Sequence, residues 1–372
     1  MYIPISQDIN KFYVNIEGTT YPVNKMLLNT QEVTGVEVYA DYYSQYFTIE
    51  SLEDNNVIIC YETSSATLQY YSNGSWNDIS SAGAITLNTG DKLMLKGTNT
   101  SLGANDPDYC YRISARKNFK VYGNIMSLLY GDDFEDNNIL TGNYTFAYLF
   151  YHNDYKTLVD ASNLKLPATT LTSSCYYRMF YKCTSLVKGP SMLPATTLVD
   201  SCYSYMFQGC TSLTQVPELP ATTLVGSCYS GMFNGCASLV NTPILPATTL
   251  ATSCYSSMFY SCTSLTTAPV LPATTLANYC YQSMFYGCTS LTMAPELLAT
   301  TLANYCYQSM FQGCTSLNKV TCLATDISAI NCLTLWLRNV SATGTFYKDS
   351  TMSSWPSGGD SGIPNNWTVI DY

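Results

Sequence analysis

Charge is what this sequence has least of. Asp, Glu, Lys and Arg together make up 11% of its 372 residues, against roughly a quarter in an average soluble protein. The 16 basic and 26 acidic residues leave a net charge of −10. Nucleic-acid binding needs clustered Lys and Arg to neutralise phosphates, and no such cluster occurs. The densest basic stretch, "RISARKNFK" at 112–120, reads as the last strand of a domain. No apolar run approaches 18 residues, so no transmembrane helix and no membrane insertion is expected. The opening "MYIPISQDINKFYVNIEG" lacks a charged n-region, an apolar h-region and a small-residue cleavage site, and the chain therefore reads as made and folded in a cytoplasm. There is one histidine, His152, read as structural.

What the chain has instead is hydroxyl and amide polarity, including 33 tyrosines, which brings mean hydropathy to near zero. It also has a repeat. A Met-Phe pair places phenylalanine at Phe180, Phe207, Phe233, Phe259, Phe285 and Phe311, a spacing of 27 and then 26 four times. The unit reads L-P-A-T-T-L-x-x-x-C-Y-x-x-M-F-x-x-C-x-S-L-x-x-x-P. Degenerate copies flank the six, with Leu129 and Phe150 upstream in the phenylalanine slot. Downstream, Cys332 and Leu337 continue the cysteine and phenylalanine positions. A unit of this length cannot bury its own apolar face, and stacking makes the core continuous, so the pattern predicts a solenoid of period 26 with degenerate caps. One short strand per unit is expected after Thr-Ser-Leu, ended by Pro217, Pro243, Pro269 or Pro295. A short helical turn is expected over Cys-Tyr-x-x-Met-Phe, whose apolar residues fall four and five apart.

Twelve of the 16 cysteines lie in the pairs 175/183, 202/210, 228/236, 254/262, 280/288 and 306/314. A zinc site needs four convergent Cys or His, and Cys-x7-Cys without nearby histidine is not that pattern. No basic neighbour is placed to lower a thiol pKa for catalysis. Stacking would bring equivalent cysteines within bridging range, which leaves disulfides open. The adopted reading is that both columns are small buried hydrophobes. No catalytic residue, metal site or cofactor is assigned.

Residues 219–295 contain no Asp, Glu, Lys or Arg. A neutral, hydroxyl-rich surface suits glycans or a polar protein interface, and tyrosine is a favoured binding-loop residue. The regular column Tyr176, Tyr203, Tyr229, Tyr255, Tyr281 and Tyr307 is read as structural, each ring covering the next coil, with a sugar-stacking platform as the alternative. The residues that vary between copies are the binding candidates: Tyr177, Tyr181, Tyr205, Tyr260, Tyr279, Gln282, Tyr286 and Tyr305. Two acidic groups receive bland readings. Asp132, Asp133, Glu135 and Asp136 lack the spacing of a calcium loop and read as a solvated turn. Glu50, Glu53 and Asp54 share one loop and do not form a glycosidase pair.

Residues 1–118 lack the period. Residues 1–40 look like two small β-hairpins, a possible attachment module. Residues 41–118 read as an antiparallel β-sandwich, with strands at "YFTIES", "NVIICYE" and "KLMLKG" and a hairpin at Asn73-Gly74. The solenoid occupies 119–348 and a C-terminal cap or tail 349–372. The fold class is mainly β with short helical turns.

In "LPATTLANYCYQSMFYGCTSL", the residues Gly287, Cys288, Ser290 and Leu291 resemble the signature of BspA-type leucine-rich repeats, strongly over about 164–320. The unit is about three residues longer, Cys280 stands where that family usually has an aliphatic residue, and Leu298 replaces a repeat proline. With the N-terminal text, "KVYGNIMSLLYGDDF" and the terminal "GTFYKDSTMSSWPSGGDSGIPNNWTV", the chain resembles BspA-like proteins of gut Bacteroidetes and their phages. That resemblance implies a non-enzymatic binding protein, foremost a phage fibre or receptor-binding component located in the virion. Its partners would be a bacterial surface glycan or protein, and other virion proteins through the N-terminal domain, with a homo-oligomer as an option. The alternative is a secreted adhesin on the bacterial cell surface.

Overall fold

The repeats are joined to one another by backbone hydrogen bonds that advance about one period at each step. In the computed structural model, residues 12–16, 19–23, 45–61, 66–79, 84–151 and 154–372 are described. Most of the first forty residues, and His152, lie outside that set. Within the attachment segment the described part is one antiparallel pair, β1 (Phe12–Ile16) with β2 (Thr19–Val23).

The N-terminal region then builds two sheets. Strands β3 (Phe47–Ser51), β4 (Asn56–Tyr61), β5 (Leu68–Ser72), β6 (Ser75–Asp78), β7 (Ala84–Leu87), β8 (Lys92–Gly97), β9 (Arg112–Ala115) and β10 (Phe119–Asn124) follow in order. With β11 (Leu158–Lys165) they form a six-stranded sheet of order β11-β10-β3-β8-β5-β6 and a three-stranded sheet β7-β4-β9. Asn73 and Gly74 both take positive φ, at 51° and 81°, and close the two-residue hairpin between β5 and β6. Phe47 and Leu95 of the larger sheet share one apolar cluster with Ile58 and Ile113 of the smaller. Leu129, expected in the phenylalanine slot of an upstream repeat, is instead buried in the four-residue helix α1 (Ser127–Tyr130).

Strand β10 joins the two halves. It pairs antiparallel with β3 on one side and parallel with β11, in the first degenerate repeat, on the other. From β11, isolated parallel bridges continue through Asp160, Lys188 and Gln215. At the far end β12 (Lys319–Cys322), β13 (Gly344–Lys348) and β14 (Trp367–Asp371) form a parallel three-stranded sheet.

Two expectations for the repeat unit need correcting. The strand after Thr-Ser-Leu is reduced in the central copies to single bridges or to nothing. Proline has no N–H to give a ladder, and Pro190, Pro217, Pro243, Pro269 and Pro295 stand in these segments. The segments that do form strands, β11 and β12, carry Ser162 and Thr321 at the corresponding position.

The expected helical turn is instead a ribbon of overlapping β-turns. Cys175, Tyr177, Met179, Tyr181 and Cys183 each donate their N–H three residues back, to Thr172, Ser174, Tyr176, Arg178 and Phe180. The alternate residues Ser174, Tyr176, Arg178, Phe180 and Lys182 donate to carbonyls of the next coil, at Asp200, Cys202, Ser204, Met206 and Gln208. A helix would spend all those N–H groups internally. The ribbon requires a left-handed residue every fourth position: φ is 55° at Ser174, 52° at Arg178 and 55° at Lys182. Such residues cost about 1–2 kcal/mol each when not glycine, and the inter-coil bonds offset that cost. A four-residue period also explains the adjacent buried pairs Cys175-Tyr176 and Met179-Phe180.

Inside the stack, rings lie face to face from coil to coil. Phe180 and Phe207 have centroids 5.1 Å apart and planes within 2°, and the same contact runs on to Phe311. Tyr176 to Tyr307 form a second stacked column. Phe150 and Phe146 head the two columns. At the other end Leu337 and Cys332 are buried in their predicted slots, and Trp336 fills the methionine slot under Trp355. All 16 cysteines are buried, and the twelve of the repeat pairs are free thiols. Among the described residues, no helix is long and apolar enough to cross a membrane.

Candidate binding surface

The turn ribbon has an inner edge, made of the Cys-Tyr and Met-Phe pairs, and an outer side made of the residues between them. On that outer side the variable tyrosines fall into two groups. Toward the C-terminal end, Tyr279 and Tyr305 stack at 4.5 Å with planes within 7°, and Tyr260 and Tyr286 at 4.5 Å within 1°. Gln282 lies between them in sequence. Its Nε2 donates to Gln308 Oε1 at 2.6 Å, and its Oε1 accepts from Ser256 Oγ at 3.5 Å. Tyr279 and Tyr305 are themselves left-handed residues, with φ of 59° and 58°. Their rings are half-buried, so they show a face or an edge to solvent without being free to move.

Toward the N-terminal end, Tyr177, Tyr181 and Tyr205 gather around a residue that the sequence reading passed over. The Arg178 guanidinium carbon lies 4.9 Å from the Tyr181 ring centroid, 5.1 Å from Tyr177, 5.2 Å from Tyr205 and 5.9 Å from Tyr148. Each distance is within range of a cation–π attraction. Arg178 Nη1 also donates to the Tyr148 hydroxyl at 3.1 Å. Burial pushes Tyr177 up to about 12, the neighbouring guanidinium opposing it. One sequence signal could have found this group, namely an arginine at a position filled elsewhere by tyrosine, glycine or serine.

Small residues separate the two groups. In the coil between them Ser227 and Asn234 are half-buried and Ser230 and Gly231 are buried. Gly231 is left-handed at φ 60°, and a Cβ there would meet the Tyr205 ring at 2.2 Å, so this glycine lets that ring lie down along the stack. The variable tyrosines thus lie toward the two ends of the array, with smaller residues between them. The candidates are on one side of the ribbon but do not converge on one point.

A second surface was not foreseen. On the loop side Ile244 is 84% exposed and Val270 78%. Beside them is a groove of about 390 Å³ lined by Pro269, Val270, Met293 and Leu298 among others. The acidic groups have local partners: Glu50 pairs with Lys120, Asp132 with Lys96, and Asp54 accepts the Thr89 N–H. Among the described residues no three of His, Cys, Asp and Glu gather to hold a metal.

A repeating unit whose outer residues change while its inner ones do not is the construction of a repeat binding protein. Residues 173–318 match, in six copies, the model of the BspA type leucine rich repeat region. The matched span covers the six cysteine pairs and both tyrosine groups. No curated protein and no solved structure matches the chain.

Proposed function

We propose that this chain is a non-enzymatic binding protein whose turn-ribbon face contacts a hydroxyl-rich partner, a glycan at a bacterial surface. The repeat region is of an interaction or adhesin type. The observation that carries the glycan reading is the pair of stacked tyrosine steps, Tyr279–Tyr305 and Tyr260–Tyr286, beside the Gln282–Gln308 amide ladder. Flat aromatic faces and fixed amides are what a sugar ring and its hydroxyls need, and the absence of charge from 219–295 spares the cost of desolvating ions. A more specific form of the proposal is a virion fibre component that carries this solenoid on its N-terminal β-domain, with a cell-surface adhesin as the second form.

The test is a glycan and cell-surface binding screen of the full chain against the double variant Tyr279→Ala, Tyr305→Ala. Binding by the parent, reduced ten-fold or more in the variant, is the expected result. Binding that is unaffected by substitution on this face, while changed by Ile244→Ser and Val270→Ser, would move the site to the loop groove and reject the reading.

A further inference from the structure

We propose that Arg178 and its tyrosine cage form an anion subsite that takes the carboxylate of an acidic sugar. The inference rests on the glycan reading above and names the class of sugar.

The first element is charge. Residues 161–199 carry Lys165, Arg178, Lys182 and Lys188 and no acidic residue, in a chain whose net charge is −10. Between Asp160 and Asp200 this part of the repeat array is therefore positive, in contrast to the uncharged repeats at 219–295. The ion pairs among the described residues are Lys96–Asp132, Lys120–Glu50, Arg338–Asp360 and Lys348–Asp371. They lie in the N-terminal region and at the C-terminal end, and neither Arg178 nor Lys182 takes part.

The second element is order. A surface arginine loses rotamer freedom when it binds, at a cost of about 2 kcal/mol. Arg178 has lost most of that freedom already, because four rings surround its guanidinium and Tyr148 fixes Nη1. A guanidinium has five N–H donors, and the Tyr148 hydroxyl takes one. Nε is buried with no hydrogen-bond partner. A held, half-buried cation with donors left over is matched by a carboxylate, which accepts two parallel N–H bonds from one guanidinium.

The third element is position. Arg178 and Lys182 are successive left-handed residues of the same ribbon, at φ 52° and 55°, and Lys182 Nζ lies 5.0 Å from the Tyr181 ring. A sugar seated against Tyr181 and Tyr205 would have its carboxylate beside Arg178 and a second positive charge within reach. The remainder of an oligosaccharide would run across the small residues of the next coil toward Tyr260 and Tyr279.

The experiment uses the full chain and short oligosaccharides that contain glucuronate or galacturonate, with their neutral glucose and galactose counterparts, followed by calorimetry. The acidic sugars should bind at least ten-fold tighter, and raising the salt should erase most of that difference. Arg178→Gln should abolish the preference. Arg178→Lys should retain a part of it, and the exposed Lys182→Gln, which leaves the cage intact, should lower it several-fold. Acetate at equal concentration should compete poorly; competition equal to glucuronate would show a bare anion site and reject the sugar assignment. Equal affinity for acidic and neutral sugars also overturns the subsite while leaving glycan binding in place. Failure to bind either kind overturns both. Acidic-sugar binding that ignores Tyr279→Ala, Tyr305→Ala keeps the subsite and rejects the longer face.

Discussion

Cys288 Sγ lies 3.0 Å from the carbonyl oxygen of Phe259 in the preceding coil. The relationship recurs at Cys210 with Phe180, Cys236 with Phe207, Cys262 with Phe233 and Cys314 with Phe285, at 2.9–3.2 Å. The second cysteine of each unit is therefore more than interior filling. Its thiol donates to the carbonyl of the residue whose ring builds the phenylalanine column, and so links neighbouring coils. Cys288→Ala should cost about 1–2 kcal/mol, from a lost weak hydrogen bond and a sulfur-sized void, read from chemical denaturation. In the same material the twelve thiols of the repeat pairs should react with a thiol reagent once the chain is denatured without reductant, and few should react before. A count near four would mean that the paired columns are bridged.

Burial also sets the pH response. It pushes Cys175, Cys183 and Cys314 up to about 12, and Cys202 and Cys210 up as well. In the unfolded chain these thiols ionise near pH 8.5. A folded pKa above the unfolded one gives stability that is complete below about pH 8.5 and is lost as pH rises toward 12. Each thiol that ionises only on unfolding removes about 1.4 kcal/mol per pH unit in that window. The melting temperature should be level between pH 6 and 8 and fall steeply above pH 9. A flat profile to pH 10.5 contradicts the buried-thiol core.

Tyr203 sits between Tyr176 and Tyr229 at centroid distances of 5.5 and 5.7 Å, and the hydroxyls of all three have no hydrogen-bond partner. A buried unpaired hydroxyl costs about 1–3 kcal/mol. Tyr203→Phe should therefore be neutral or stabilising, as Phe146 at the head of the same column suggests. Tyr203→Ala should lose about 3–5 kcal/mol. A marked loss for Tyr203→Phe would show that the hydroxyl is satisfied by water.

Gly231 and Tyr205 are coupled. Gly231→Ala places a left-handed alanine, at about 1–2 kcal/mol, and drives the new methyl into the Tyr205 ring. In a Tyr205→Ser background only the backbone cost remains, so the two substitutions should be non-additive by about 1 kcal/mol or more. Additivity would place the ring elsewhere.

The repeat, its period, its buried columns and its degenerate ends were legible because a stack puts the same demand on the same position in every copy. Leu337 could be placed in its slot from spacing alone, and Asn73-Gly74 marked its hairpin because that turn needs two left-handed residues. The local backbone was misjudged. Apolar residues four and five apart resemble a helix, and only the alternation of N–H directions reveals a turn ribbon in which the spacing is four. The prolines after Thr-Ser-Leu read in sequence as strand ends, but in the stack they prevent the ladder.

The candidate tyrosines vary on a constant frame, yet the sequence could not divide them into two groups or show that Arg178 lies among one of them. By itself, then, the sequence determined what is buried, since burial repeats and repetition is visible along the chain. Only the tertiary structure decided which outer side chains meet. Tyr148, Arg178 and Tyr205 come from three different coils, and residues 27 to 30 apart become neighbours only when the backbone N–H groups of one coil find the carbonyls of the next.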